Sequence, residues 1–149
     1  MEIKKATISD APVLQGIIKR EFSYTKFSPQ TIVEKLVDER FLIIKTVDKK
    51  EFVGFAELDL LNDPAKLGQA RLNAVYVSDK FRKKGVATKL VKKLLSLAKK
   101  KKLKKVFLLV RFDNELAKGL YLKCGFLFEK IHDKIIEGKE VEVWSTSLK

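Results

Sequence analysis

The sequence is poor in residues that cross-link a chain or bind metals. Its 149 residues include one cysteine, Cys124, and one histidine, His132. A lone cysteine excludes an intrachain disulfide, and a single residue of each type argues against a Cys/His zinc site. A chain of this length buries about 70 % of its unfolded surface, so it needs neither kind of cross-link. We therefore expect residues 1–149 to form one domain without a metal site.

Long apolar runs are also missing. No stretch approaches the roughly 20 residues of a membrane-spanning helix. Residues 1–5 carry two lysines where a signal peptide would need an apolar stretch. Apolar residues nonetheless make up 46 % of the chain, which is above the range of disordered segments. The composition favours a soluble α/β domain in the cytoplasm, without membrane contact.

Positive charge is concentrated in one segment. The formal net charge is +13, from 32 basic and 19 acidic residues. Residues 80–105 hold 13 of the basic residues and no acidic one, so the remaining 123 residues balance at 19 of each sign. Such a field attracts polyanions, either a nucleic acid or a phosphorylated cofactor. A solvated lysine-rich helix face would give the same count, so net charge alone leaves all three interpretations open.

Apolar spacing and turn residues predict seven strands and about four helices, in the order β-α-α-β-β-β-α-β-α-β-β. Strands are expected at residues 3–6, 41–47, 52–61, 70–77, 106–110, 126–136 and 141–148. Helices are expected after Ser9-Asp10, after Ser28-Pro29, from Val86 onward and at 114–123. The long helix between the fourth and fifth strands predicts a crossover that makes these two strands parallel neighbours.

The turn before the third helix has the features of an anion-binding loop. It consists of Arg82, Lys83, Lys84, Gly85 and the first helical residues Val86, Ala87 and Thr88. A helix N-terminus presents unbonded N–H groups and the positive end of the helix dipole. Gly85 permits a close backbone approach or a positive φ, and Ala87 is small enough for a ligand to lie against it. The pattern predicts a phosphate site, although a plain strand-to-helix turn would also need one glycine. Neither the P-loop motif nor the dinucleotide glycine motif is present.

Two motifs resemble those of the GNAT N-acetyltransferase family. Arg-x-x-Gly-x-Ala at 82–87, after a strand that ends in Val75, Tyr76 and Val77, is similar to the acyl-CoA signature of that family. The segment 114–126 resembles its second signature, Asn-x-x-Ala-x-x-Leu-Tyr-x-x-x-Gly-Phe. The motifs occur in the family's order and spacing, and the order of elements matches over essentially the whole chain.

The resemblance implies an α/β (α+β) fold with a mixed, mostly antiparallel seven-stranded sheet whose fourth and fifth strands splay apart. Acetyl-CoA would lie between these strands, with its pyrophosphate on the amides of the 82–88 loop and its pantetheine arm along Val75 and Val77. Asn114 would hold the cofactor, and Ala117 would leave room for it. The cofactor-binding residues implied are Val75, Tyr76, Val77, Arg82, Lys83, Lys84, Gly85, Val86, Ala87, Thr88, Asn114, Ala117 and Tyr121.

The resemblance also implies direct acetyl transfer from the CoA thioester to a primary amine of a protein N-terminus, a lysine or a small amine such as a polyamine. Tyr121 would protonate the leaving thiolate, and a backbone N–H near Val75 would stabilise the oxyanion. Many relatives carry a glutamate base on the fourth strand. Residues 69–74 here contain no carboxylate, and Arg71 falls near the usual position.

Glu57 is the candidate base on the preceding strand, where alternation places Asp59 on the same face. These carboxylates could act through water, could be surface charges, or could leave the proton transfer to solvent. A covalent route through Cys124 is disfavoured because no histidine lies near it in sequence.

The acceptor would be walled by Phe22, Tyr24, Phe27 and the loop at 137–140, and the chain would be a monomer or a homodimer. The alternative function is a basic nucleic-acid-associated module with a vestigial or regulatory acetyl-CoA site. Phe81 is the one aromatic residue in 80–105, which argues against recognition of nucleic acid by stacking.

Overall fold

The computed structural model describes residues 1–22, 31–136 and 138–148. Within these ranges the chain forms seven strands and four α-helices in the predicted order. They are β1 Glu2–Lys5, α1 Ala11–Glu21, α2 Thr31–Val37, β2 Phe41–Asp48, β3 Glu51–Asp59, β4 Gln69–Val77, α3 Val86–Lys100, β5 Lys105–Arg111, α4 Glu115–Lys123, β6 Leu127–Ile136 and β7 Lys139–Ser147. The predicted helix start at Ser28-Pro29, the aromatic residues Tyr24 and Phe27, and Glu137 lie outside the described residues.

The strands form one mixed sheet in the order β1-β2-β3-β4-β5-β7-β6. Five of the neighbouring pairs are antiparallel, and β4 with β5 is parallel. The parallel pair follows from α3, because a chain that leaves one strand through a long helix returns beside it in the same direction. The predicted mixed, mostly antiparallel seven-stranded sheet is therefore confirmed.

The parallel pair β4–β5 opens after its first few residues. Its register covers Gln69↔Lys105, Ala70↔Val106 and Arg71↔Phe107, although the two strands continue to Val77 and Arg111. Beyond these three pairs the strands diverge, so each has an edge that its neighbour does not cover. We call the space between these edges the wedge. It is the predicted splay of the fourth and fifth strands.

A β-bulge lies in β4 beside the wedge. Glu57 of β3 is opposite Ala74, and the next residue, Leu58, is opposite Leu72, so Asn73 has no partner across the ladder. An extra residue of this kind bends the strand and changes the direction of its side chains. It follows that Asn73 and Ala74 do not alternate as neighbours in a regular strand do.

Helices cover both faces of the sheet. On one face, α3 buries Val86, Leu90, Val91, Leu94 and Ala98, which recur at helical spacing as predicted. On the other face, the fully buried residues Leu14 and Ile18 of α1 and Ile32 of α2 pack against Phe55 of β3. Each such side chain contributes about 1.5–3 kcal/mol on leaving water. The sheet centre is thus fixed from both sides, and the wedge opens beside it.

Candidate active site

A cavity of about 370 Å³ lies in the wedge. Asn73, Ala74 and Val75 of β4 line one side, and Leu109, Val110 and Arg111 of β5 line the other. Asn114, Ala117 and Tyr121 line it from α4, together with Phe22 after α1 and Ile136 at the end of β6. The predicted residues Val75, Asn114, Ala117 and Tyr121 are therefore brought together around one space.

No helix among the described residues is both long and apolar enough to cross a membrane.

The α4 side of the wedge is organised by Asn114, the N-cap residue of that helix. Its Oδ1 accepts a hydrogen bond from the Ala117 N–H at 3.1 Å, which satisfies one of the free donors at the helix start. Tyr121 follows one turn after Ala117, and its half-buried ring packs at 5.8 Å and 60° against the ring of Phe126. Asn114 and Tyr121 thus approach the cavity from a fixed helix.

The edge of β4 presents backbone groups to the wedge. Ser78 N–H donates to the carbonyl of Val53 on β3 at 2.8 Å. Because backbone direction alternates along an antiparallel ladder, Tyr76 also faces β3, and Val75 and Val77 face the wedge. The ring of Tyr76 packs against Phe55 with centroids 6.3 Å apart. The predicted pairing edge thus consists of Val75 and Val77, without Tyr76.

The loop before α3 has unbonded backbone donors. Gly85 is the N-cap residue with a φ of +79°, and Lys83 has a φ of +63°. Within the part of the chain that the structure describes, no atom accepts a hydrogen bond from the N–H groups of residues 83–88. The first backbone bond of the helix runs from Lys89 N–H to the Gly85 carbonyl at 3.1 Å. These N–H groups and the positive helix end can therefore receive an anion.

The open space and the positive charge around the loop also favour an anionic ligand. A Cβ added at Gly85 would meet no atom within 4 Å, so the loop opens outward. Lys83 and Lys84 form no ion pair with any described carboxylate, in contrast to Lys80, whose Nζ lies 3.0 Å from Glu51 Oε1. No described carboxylate thus neutralises the charges of Lys83 and Lys84, although Lys84 Nζ lies 5.7 Å from the centroid of the Phe81 ring.

Arg82 holds the loop in place through its guanidinium group. Its Nε donates to the Val77 carbonyl at 2.8 Å, and one terminal nitrogen lies 2.8 Å from Asp79 Oδ1. The other terminal nitrogen lies 3.8 Å from Glu21 Oε1 at the end of α1. Arg82 thus connects the loop to β4 and α1, so its guanidinium is already engaged by protein atoms. Because Arg82 already donates to the Val77 carbonyl, the groups on the β4 edge that remain for a ligand are the N–H and carbonyl of Val75 and the N–H of Val77.

Glu57 lies in the core rather than on the surface. Its side chain is 0 % exposed, and its Oε2 accepts hydrogen bonds from Lys35 Nζ at 3.1 Å and from Asn73 Nδ2 at 2.7 Å. Its Oε1 is buried and has no partner among the described atoms. Burial raises the pKa of Glu57, while Lys35 and Asn73 oppose that shift. Of the alternatives left open by the sequence, a surface charge at this position is wrong, because α2 covers this face of β3.

Asp59 and Arg71 extend the buried charged group away from the cavity. Asp59 is 8 % exposed and forms a two-pronged pair with Arg40, with N···O distances of 2.7 and 3.0 Å. Arg71 lies opposite Asp59 in the β3–β4 register, and burial lowers its pKa. Neither residue lines the cavity. Arg71 therefore belongs to this buried charged group and does not face the wedge.

Cys124 and His132 both lie outside the cavity lining. The Cys124 thiol is buried, and burial raises its pKa. His132 lies on β6, where its Nδ1 accepts a hydrogen bond from the Lys134 N–H at 2.9 Å. Neither residue is placed to serve as a nucleophile or base in the wedge.

Sequence reasoning missed Asn73. The residue is polar in an otherwise mostly apolar strand, which is a weak signal on its own. Its direction depends on the bulge opposite Glu57, and that register is not visible before the strands are paired.

The sequence comparison agrees with this geometry. The family model described as the acetyltransferase (GNAT) family matches residues 13–126. The chain belongs to this family. GNAT proteins are acyltransferases that use acetyl-CoA, so this GNAT chain is an N-acetyltransferase whose acyl donor is acetyl-CoA. A search of curated protein sequences finds no significant match.

Solved structures show the same fold. The ribosomal-protein-S18-alanine N-acetyltransferase of Escherichia coli has a TM-score of 0.83 at 20 % identity, over 99 % of this chain and 94 % of that chain. A spermidine N-acetyltransferase mutant from Vibrio cholerae has a TM-score of 0.82 at 18 % identity, over 99 % and 95 %. An N-acetyltransferase from Thermoplasma acidophilum in complex with coenzyme A has a TM-score of 0.77 at 19 % identity, over 98 % of each chain. At these identities the likeness establishes the GNAT fold and leaves the acceptor open.

Proposed function

We propose that this GNAT chain transfers an acetyl group from acetyl-CoA to a primary amine bound in the wedge, and that the amine is the N-terminus of a peptide. One observation carries the proposal. The N–H groups of residues 83–88 lack acceptors among the described residues, and they adjoin a strand edge that is released from pairing. Together they provide an anion site and an extended-chain site at adjacent positions.

The residues of the loop and the wedge fit acetyl-CoA. The 83–88 amides would hold its diphosphate, with Lys83 and Lys84 nearby to offset its roughly four negative charges. The Val75 carbonyl and the Val77 N–H would pair with the amides of the pantetheine arm. Asn114 and Ala117 would contact it from α4, and Arg82 would keep the loop in register with β4. Val86, Ala87 and Thr88 contribute the first helical turn.

Acetyl-CoA supplies an activated acyl carbonyl and a thiolate leaving group. The Val75 N–H would donate to the acetyl oxygen as negative charge builds on it. Tyr121, which lines the cavity, would donate its proton to the sulfur as the C–S bond breaks and the C–N bond forms. The ammonium would lose one proton to solvent before the attack and a second as the amide forms, and Tyr121 would recover a proton from solvent.

Glu57 acts indirectly in this proposal. Its Oε2 is engaged by Lys35 and Asn73, and its side chain does not line the cavity. A direct proton transfer from the acceptor amine to Glu57 would need a contact that this arrangement does not provide. We therefore assign the proton transfer to solvent, and Glu57 contributes through the groups that it orients.

The charge of the wedge supports a peptide acceptor over a polyamine. Among the described lining residues Arg111 is the one charged side chain, and no carboxylate lines the cavity. Arg111 Nε is itself 2.6 Å from Asp113 Oδ1. A polycation such as spermidine would meet no carboxylate among the described lining residues, whereas a peptide presents one amine followed by neutral amide groups. The +13 net charge of the chain also disfavours cationic acceptors at long range.

The test combines an acetyl-CoA titration with a thiol-release assay on three acceptors: a hexapeptide with a free N-terminus, an N-terminally blocked lysine peptide and spermidine. We expect saturable acetyl-CoA binding and the fastest thiol release with the free N-terminus. Thiol release with none of the acceptors would refute the proposal. A gel shift with nucleic acid at physiological salt that weakens steeply as the salt rises, without acetyl-CoA binding, would favour the alternative module.

A matched pair of variants separates the loop from the overall charge. Lys84→Ala and Lys101→Ala each remove one lysine charge, but Lys84 lies in the loop and Lys101 follows the far end of α3. We expect Lys84→Ala to weaken acetyl-CoA binding about two- to fivefold, the range of an exposed charge contact. Lys101→Ala should leave the affinity unchanged. If both variants weakened acetyl-CoA binding equally, the affinity would depend on the overall positive charge of the chain and not on the position of Lys84 in the loop.

A further inference from the structure

Asn73 joins the cavity to the buried carboxylate of Glu57. It is the bulged residue of β4, it lines the wedge, and its Nδ2 donates to Glu57 Oε2 at 2.7 Å. A residue at a regular position of β4 would lie opposite a residue of β3 in the ladder, but Asn73 does not. The bulge therefore places one amide group between the reaction space and a charge in the core.

Glu57 determines which end of that amide faces it. An ionised carboxylate only accepts hydrogen bonds, so it requires the NH₂ end of Asn73. Burial raises the pKa of Glu57, but Lys35 Nζ at 3.1 Å and Asn73 Nδ2 at 2.7 Å both donate to its Oε2 and favour the ionised form. The Asn73 Oδ1 then points away from Glu57, and no described residue donates to it. Asn73 is half-buried and lines the wedge, so a donor bound in the cavity can approach its side chain.

The wedge otherwise offers few acceptors to an amine. Asn114 Oδ1 already receives the Ala117 N–H, and Arg111 only donates. We propose that Asn73 Oδ1 binds the N–H of the acceptor amine, and that Glu57 and Lys35 are positioning residues that hold this oxygen toward the wedge. The inference rests on the proposed acetyl transfer and deepens it by assigning the group that recognises the amine.

The cost of the arrangement supports a functional role. A carboxylate at 0 % exposure, with one oxygen that has no partner among the described atoms, is expensive to bury, and a well-packed apolar residue would often serve stability as well or better. The ion pair with Lys35 offsets only part of that cost. A role in orienting the Asn73 amide would account for this buried charge, because the Glu57 carboxylate fixes which end of the amide faces the amine.

The test measures steady-state kinetics of Asn73→Ala and Glu57→Gln with the best acceptor of the wild-type screen. Loss of a hydrogen bond to a charged amine corresponds to about a 10- to 100-fold rise in KM for the amine with Asn73→Ala. Glu57→Gln keeps the shape but lets the Asn73 amide turn, and we expect a rise of about three- to tenfold. Both variants should keep the acetyl-CoA affinity of the wild type, measured by titration without acceptor.

Asp59→Asn is the matched control, because Asp59 is the neighbouring buried carboxylate of β3 but pairs with Arg40 instead of Asn73. It should lower the melting temperature and leave KM for the amine unchanged. An unchanged amine KM in folded Asn73→Ala, with an active wild type, would overturn this inference alone. A wild type that acetylates no acceptor would overturn the proposed function and this inference together.

Discussion

Replacing Gly54 with alanine should damage both the sheet and the cofactor site. A Cβ at Gly54 would overlap the Tyr76 carbonyl oxygen and lie 3.2 Å from Val77 Cα, and both are backbone atoms of β4. Real Cβ atoms essentially never come so close to a backbone oxygen, so one strand must move. Overpacking of this kind costs about 1–3 kcal/mol. For a chain of this size, that corresponds to a fall in Tm of about 3–10 °C.

Gly16→Ala is the matched control. Gly16 lies inside α1, and a Cβ there would meet no atom within 4 Å. Alanine has the higher helix propensity, so the free energy of unfolding of this variant should rise by about 1 kcal/mol. Thermal unfolding followed by circular dichroism gives the two shifts, which should be opposite in sign.

Acetyl-CoA titration tests the second consequence. If β4 moves at Tyr76 and Val77, the edge formed by Val75 and Val77 changes direction, and binding should weaken at least several-fold in folded Gly54→Ala. Gly16→Ala should bind as the wild type does. A Gly54→Ala protein with unchanged Tm and unchanged affinity would refute the strand geometry on which the wedge depends.

Three further predictions concern single groups. Tyr121→Phe should lower kcat by about 10- to 10³-fold and keep KM for acetyl-CoA within about twofold; an unchanged kcat in stopped-flow or steady-state assays would remove Tyr121 from proton transfer. Cys124→Ala should retain acetyl transfer, and thiol reagents should label native Cys124 slowly at pH 7 because burial raises its pKa; rapid labelling or loss of activity would contradict this placement. Hydrogen bonds from Lys105, whose Nζ lies 2.6 Å from Glu129, and from Ser145 lower the pKa of Glu129. The contribution of this carboxylate to folding stability is therefore present above the ordinary pKa of 4.5, and it is lost as the pH falls through the lowered value. Glu129→Gln should therefore cost up to about 1 kcal/mol at pH 7 and nothing once the wild-type carboxyl is protonated, which melting curves from pH 7 to pH 2 would measure.

The fold was largely predictable from the sequence because its signals are local. The apolar spacing of α3 and the apolar strand β5 identify a crossover, and Gly85 marks the turn between β4 and α3. Strand ends differ by one or two residues, as for β3, which ends at Asp59 rather than at residue 61. The two motifs then gave the family, which the comparison confirms.

The details of the site depend on contacts between distant residues and were less accessible. Alternation correctly paired Glu57 with Asp59, but nothing local indicates that α2 buries Glu57 with Lys35. The bulge at Asn73 exists only in the register between β3 and β4. Arg82 was predicted beside the phosphates, and its three protein contacts depend on where the ends of β4 and α1 meet.

The short parallel contact has a consequence for the lifetime of the protein. Three residue pairs join β4 to β5, so the hydrogen-bonded link between the two halves of the sheet is narrow. A bound acetyl-CoA would bridge those halves and add its binding free energy to folding, about 2.7 kcal/mol at a concentration 100 times its Kd. The metabolic supply of acyl donor would then set how often the chain opens to proteases, as well as how fast it turns over substrate.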